Sequence, residues 1–166
     1  MTLRNKIMNS TLAGLAALAS CKTPTATPEP LVLPALYDLV ATNTNATKVE
    51  KNGTTTYSLS LTGKNNYVIA IAASTDKDGR KLLQTTMTQP NGWGFTYRDG
   101  GAWGGLDNKV DYVTTVVPGI DEKRHPSVQI DATVNQLYSD LTARIAKALQ
   151  ATSPVATIDL GDLTVR

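Results

Sequence analysis

The sequence predicts an α+β domain: an antiparallel β-sheet that starts with an N-terminal hairpin, carries a C-terminal amphipathic helix on one face, and is completed by dimerisation. Three observations predict it. Tyr57, Leu59 and Leu61 alternate with Ser58, Ser60 and Thr62, the period-two pattern of a half-buried strand. Asn52-Gly53 stands just before them, and both residues suit the positive φ angles of a two-residue hairpin turn. The period then changes near the C-terminus, where Val134, Leu137, Tyr138, Leu141, Ile145 and Leu149 fall on one face of a helix from about residue 131 to 150.

Composition agrees with a folded chain. The 166 residues are 41% hydrophobic and 18% charged, enough apolar material for a core and too little charge for disorder. Thr and Asn are abundant, which suits a sheet with one wet face. The net charge of +2 permits an anionic partner without requiring one. A single cysteine and a single histidine, Cys21 and His125, leave no ligands for a Cys- or His-rich metal site. No apolar run is long enough to cross a bilayer as a helix.

Residues 1–30 stand apart from the domain at 31–166. Arg4 and Lys6 precede a short apolar run from Leu12 to Ala19, and Leu18-Ala19-Ser20-Cys21 resembles a bacterial lipobox, in which the cysteine is lipidated after cleavage. The Thr/Pro string that follows would then be a tether. Leu12, Leu15 and Leu18 also recur at helical spacing. The segment is therefore a lipoprotein-type signal plus tether, a helical extension, or the product of a mis-called start.

The body begins with two short apolar strands in Leu31–Val40, split by Pro34. The Asn52-Gly53 hairpin follows. The stretch around Val68 to Ala73 is almost continuously apolar, so its strand is covered on both faces or carries only small alanines on one. Asp78-Gly79 turns the chain into a strand from Arg80 to Gln89. Six of the 12 glycines lie between residues 92 and 105, which reads as a long loop or irregular hairpin anchored by Trp93 and Trp103. A last strand surrounds Tyr112 to Val117, residues 120–126 form a charged connector, and Asp131 or Ser127 caps the helix. The tail after Pro154 is ambiguous. One helix cannot cover a sheet of about five strands, which argues for a partner on that face.

Catalytic chemistry has no constellation here. Asp76 and Asp78 resemble the start of a calcium loop, but Met87 stands where the bidentate Glu belongs; an Asp-Gly turn accounts for them. The run Asp121 to His125 has no nucleophile, metal or phosphate-binding loop beside it, and no cofactor motif occurs. An enzyme is not expected. Trp93 and Trp103 among glycines could stack on sugars, or serve as structural anchors. Arg80, Lys81, Gln84 and Thr86 on one strand, with Tyr112 and Thr114 on another, form a candidate single-stranded RNA site: cations for phosphates and a ring for an unpaired base. Leu83 and Met87 share the parity of Lys81, so that parity faces the helix. Arg80, Gln84 and Thr86 belong to the open face, with Lys81 reaching its rim.

From near Leu31 to about Ser153 the body resembles the coat proteins of single-stranded RNA bacteriophages. The likeness rests on order: the hairpin ATKVEKNGTTTYSLSL, the strand pair YVIAIAASTDKDGRKLLQTTMT, a glycine-rich loop, the strand VDYVTTVVPG and the helix DATVNQLYSDLTARIAKAL. It implies a homodimer whose helices cross over a joint sheet, a capsid, and RNA on the inner sheet face. Two functions follow. One is a viral structural protein, a coat subunit that dimerises, assembles into a virion shell and packages RNA. The other is a bacterial lipoprotein, anchored to a membrane through Cys21, with a small secreted β-rich binding domain. The body favours the first, and the lipobox the second.

Overall fold

The computed structural model describes residues 33–107, 109–151 and 158. Residues 1–30, with Cys21, lie outside the described residues, so the lipidation expectation falls there too. Six strands form one sheet in chain order: β1 (Thr47–Lys51), β2 (Thr54–Thr62), β3 (Val68–Thr75), β4 (Lys81–Thr88), β5 (Gly94–Gly100) and β6 (Tyr112–Val116). Every neighbouring pair is antiparallel. Helix α1 spans Leu33–Ala41 and α2 spans Ala132–Gln150. The protein is thus of the α+β class, with the C-terminal helix on one sheet face.

Local chemistry explains the expected elements. Asn52 and Gly53 take φ of 52° and 75°, the left-handed pair that a two-residue hairpin turn needs. The Asp131 carboxylate accepts the Val134 N–H at 2.9 Å and so caps α2, satisfying an amide that has no partner within the helix. In β3, Ile69, Ile71 and Ala73 are buried while Ala70 is exposed, so small alanines do line the other face.

Cross-strand partners show one apolar side. Leu59 pairs with Ile71, Ile69 with Met87, Ala73 with Leu83, and Tyr97 with Val113. All are buried beneath Leu36, Tyr37 and Val40 of α1 and Tyr138, Leu141 and Ile145 of α2. The Tyr97 and Tyr138 rings stack at 5.6 Å, which fixes α2 over β5. Val134, Leu137 and Leu149 of the expected helix face are half-buried against the same core. Thr142 is buried there too, and its hydroxyl donates back to the Tyr138 carbonyl at 2.9 Å.

Three expectations are corrected. Residues 33–41 form a helix instead of two strands: proline is tolerated in a first helical turn, and Leu36, Tyr37 and Val40 lie on one helical face. The glycine-rich stretch contains strand β5. A Cβ on Gly94 would sit 2.0 Å from the Met87 carbonyl oxygen, and one on Gly100, at φ 90°, 2.4 Å from that of Lys81; the glycines permit close strand approach where they read as a loop. Finally, among the described residues the sheet has six strands and two helices lie on one face, so one chain covers more of that face than a single helix would, although β1 stays exposed.

The two sheet edges differ. β6 is bordered by residues 126–128, with the Thr115 N–H donating to Pro126 and the Val128 N–H to Val113, both at 2.9 Å. All five residues of β1 are exposed. Past the start of β1, Ile158 pairs beside the end of β2 and is 3% exposed.

Candidate nucleic-acid interface on the open sheet face

Because side chains alternate across a strand, the face turned away from the helices is determined by the register. It carries Thr47 and Val49 of β1, Thr56, Ser58 and Ser60 of β2, Ala70, Ala72 and Ser74 of β3, Gln84 and Thr86 of β4, Thr96 and Arg98 of β5, and Tyr112 and Thr114 of β6. Hydroxyls dominate. Some are used within the sheet: Thr56 with Ser74 and Thr86 with Thr96, each at 3.0 Å.

Two concavities shape this face. The first, of about 500 Å³, runs over β2 to β4 and is lined by Asn45, Thr47, Ser58, Ser60, Gln84 and Thr86, with Ala70 and Ala72 as its low floor. Small residues at the centre leave the trough open, and hydroxyl and amide groups rim it. The second, of about 340 Å³, lies over β5 and β6 between Arg98, Trp103, Tyr112, Thr114 and the connector residues Glu122, Lys123 and His125.

Arg98 organises the second concavity. It is 9% exposed. Its Nε donates to Gln84 Oε1 at 3.0 Å and its Nη2 to Glu122 Oε1 at 2.6 Å. Its guanidinium lies 5.8 Å from the Trp103 ring centre and 5.6 Å from that of Tyr112, within cation–π range. Those two rings are parallel within 4° at 5.4 Å. Trp103 remains 49% exposed, so a flat apolar surface is presented to solvent beside a cation.

The expected site residues separate. Gln84, Thr86, Tyr112 and Thr114 share the open face; Thr114 is 4% exposed and forms part of the floor. Lys81 lies on the helix side, as its parity with Leu83 requires, with its ammonium 4.6 Å from the Tyr37 ring centre and 3.7 Å from Asp38 Oδ1. Arg80 is corrected. It precedes β4, in the turn, where its guanidinium contacts Asp76 Oδ2 at 2.7 Å and Asp78 Oδ2 at 3.3 Å. Its backbone N–H also donates to Asp76, and these bonds hold the Asp76 carboxyl below its ordinary value. The carboxylates made by the Asp-x-Asp-Gly turn draw the cation away from the sheet face.

Arg98 and the Ser58–Ser60 pair were missed in the sequence. The serines carry an alternation signal, but Arg98 stands in a glycine-rich stretch that reads as a long loop or irregular hairpin with no periodicity to place it. Trp93 and Trp103 are both about half exposed, and Trp103 stacks on Tyr112 of β6. Comparison of the chain with protein-family models, with curated proteins and with solved structures finds no match.

Proposed function

We propose that the protein is a viral coat subunit that dimerises, assembles into a shell and holds single-stranded RNA on the open face of its sheet. One observation carries this proposal: both helices pack on the same face, leaving the opposite one as a hydroxyl-lined trough that ends in the Trp103–Tyr112 stack and Arg98. Single-stranded RNA is held by such a combination. Its splayed bases stack on aromatic rings, its 2′-hydroxyls and base edges bond to hydroxyl and amide groups, and its phosphates are met by cations. Lys123 beside Arg98 adds a second cation at the aromatic end. The order of hairpin, strand pair, last strand and helix also supports the resemblance to phage coat proteins.

The test is to express the full-length chain, image the purified material by electron microscopy, and measure nuclease-protected RNA per unit of protein. Shells containing protected RNA are expected. Dispersed protein free of RNA would overturn the proposal.

A further inference from the structure

We propose that β1 is the docking edge for a second copy of this chain, two β1 strands pairing antiparallel about Val49. This contact stands apart from the helix crossing that the coat-protein resemblance implies, since α2 lies over β5 and away from β1, and the observations behind it are independent of the RNA face.

The backbone of β1 is already half used. Its register against β2 pairs Lys51 with Thr54, Val49 with Thr56 and Thr47 with Ser58. In a two-residue hairpin the residues flanking the turn form a hydrogen-bonded pair, and bonded and non-bonded pairs then alternate. Lys51, Val49 and Thr47 therefore bond inward to β2, and the N–H and C=O groups of Lys48 and Glu50 point outward. A two-fold axis at Val49 brings Lys48 opposite Glu50 of the second copy, and Glu50 opposite its Lys48. Those are the residues whose outward backbone groups must bond to each other, so four main-chain hydrogen bonds form around a central Val49 pair.

Side chains agree with the same register. Lys48 and Glu50 project to one face and already attract each other at 2.7 Å within the strand. Across the two-fold they form two opposite-charge pairs. Shifting the axis by one residue in either direction sets Lys48 against Lys48 or Glu50 against Glu50, which like-charge repulsion disfavours. Val49 projects to the open face and is 51% exposed, high for an apolar side chain on an edge, and the pairing buries it against its own copy. Of the two sheet edges, β6 is bordered by residues 126–128, while β1 is exposed throughout. Thr47, which lines the trough, then stands close to the seam, so the troughs of the two copies flank the axis on one continuous face.

Charge reversal tests the register. The full-length chain, Lys48→Glu, Glu50→Lys, a one-to-one mixture of these two variants, and the double exchange are compared by sedimentation over a range of micromolar concentrations, with circular dichroism as the check on folding. Both side chains are exposed, so the fold is expected to survive. Each single variant sets like charges across both pairs and should weaken self-association about tenfold or more. The mixture should form a heterodimer, and the double exchange should restore the parent affinity. A monomeric parent chain, single variants that dimerise like the parent, or a mixture that fails to recover would overturn the pairing. RNA binding measured on the same samples separates this from the proposed function: single variants that dimerise like the parent and still bind RNA sink the edge contact alone, a monomer sinks the coat subunit's dimer with it, and the expected dimer pattern without RNA binding sinks the RNA face alone.

Discussion

Arg98 and Gln84 face each other across β5 and β4, and the Arg98 Nε donates to the Gln84 Oε1 at 3.0 Å. This bond joins the two parts of the open face. Gln84 rims the hydroxyl trough, and Arg98 underlies the aromatic corner. A ligand that follows the face from β2 to β6 passes over both.

Arg98→Ala is therefore expected to weaken single-stranded RNA binding and to reduce its salt slope by about one, the signature of one lost phosphate contact. Removing a nearly buried, hydrogen-bonded cation should also cost on the order of 1–3 kcal/mol of folding stability. Lys81→Ala, on the opposite face, should leave the slope unchanged. Filter binding at several salt concentrations checks both; equal slopes for Arg98→Ala and the parent would remove Arg98 from the site.

Trp103→Ala and Tyr112→Ala each remove part of the stacking surface. Loss of base stacking is worth about 1–3 kcal/mol of binding, so each should lower RNA affinity roughly 5- to 150-fold. Because Trp103 is half exposed, its removal should move the urea midpoint little. RNA titrations beside urea unfolding check this, and a variant with unchanged affinity would show that its ring is structural.

The helix face gives a stability prediction. Leu141 is 2% exposed in the shared core, so Leu141→Ala should cost about 2–5 kcal/mol through lost transfer energy and a cavity. Leu141→Asp should abolish soluble protein, since a buried carboxylate without a partner is far costlier. A Leu141→Ala variant with the parent's urea midpoint would show that α2 does not bury this residue.

Much of this layout is visible in the sequence because alternation is a local signal. The hairpin at Asn52-Gly53, the faces of β4 and the cap at Asp131 depend on near neighbours alone. The same logic misleads where one residue type serves two purposes. Pro34 breaks strands but also suits a first helical turn, so α1 went unseen. Gly94 and Gly100 suit loops, but here they let β5 lie tightly on β4, and Arg98 was lost with the strand that carries it. Arg80 has the right parity, yet Asp76 and Asp78 capture it. That capture depends on how the turn closes, which periodicity does not report.

Alkali should unfold the protein by a specific route. Burial raises the Tyr97 hydroxyl to about 12, and burial with Asp99 and Asp111 nearby raises that of Tyr138 further. Each folded-state value lies above the unfolded value of about 10, so the native state holds these protons more tightly than the unfolded chain. The stabilisation is complete below pH 10 and is lost as pH rises from about 10 to 12 and beyond. Urea midpoints should fall through that window, and Tyr138→Phe should flatten the fall. An unchanged slope in Tyr138→Phe would show that its hydroxyl is not shielded as the packing against Tyr97 implies.

Ultraviolet cross-linking of single-stranded RNA to the full-length chain, with mass spectrometry of the linked peptides, tests the open face most directly. Aromatic side chains stacked on bases cross-link efficiently, so linked nucleotides are expected on the peptides that carry Trp103 and Tyr112, with none on α1 or on the Tyr138–Leu141 stretch of α2. Cross-links concentrated on the helices, or none at all from a sample that binds RNA, would contradict the placement of RNA on the sheet face opposite the helices.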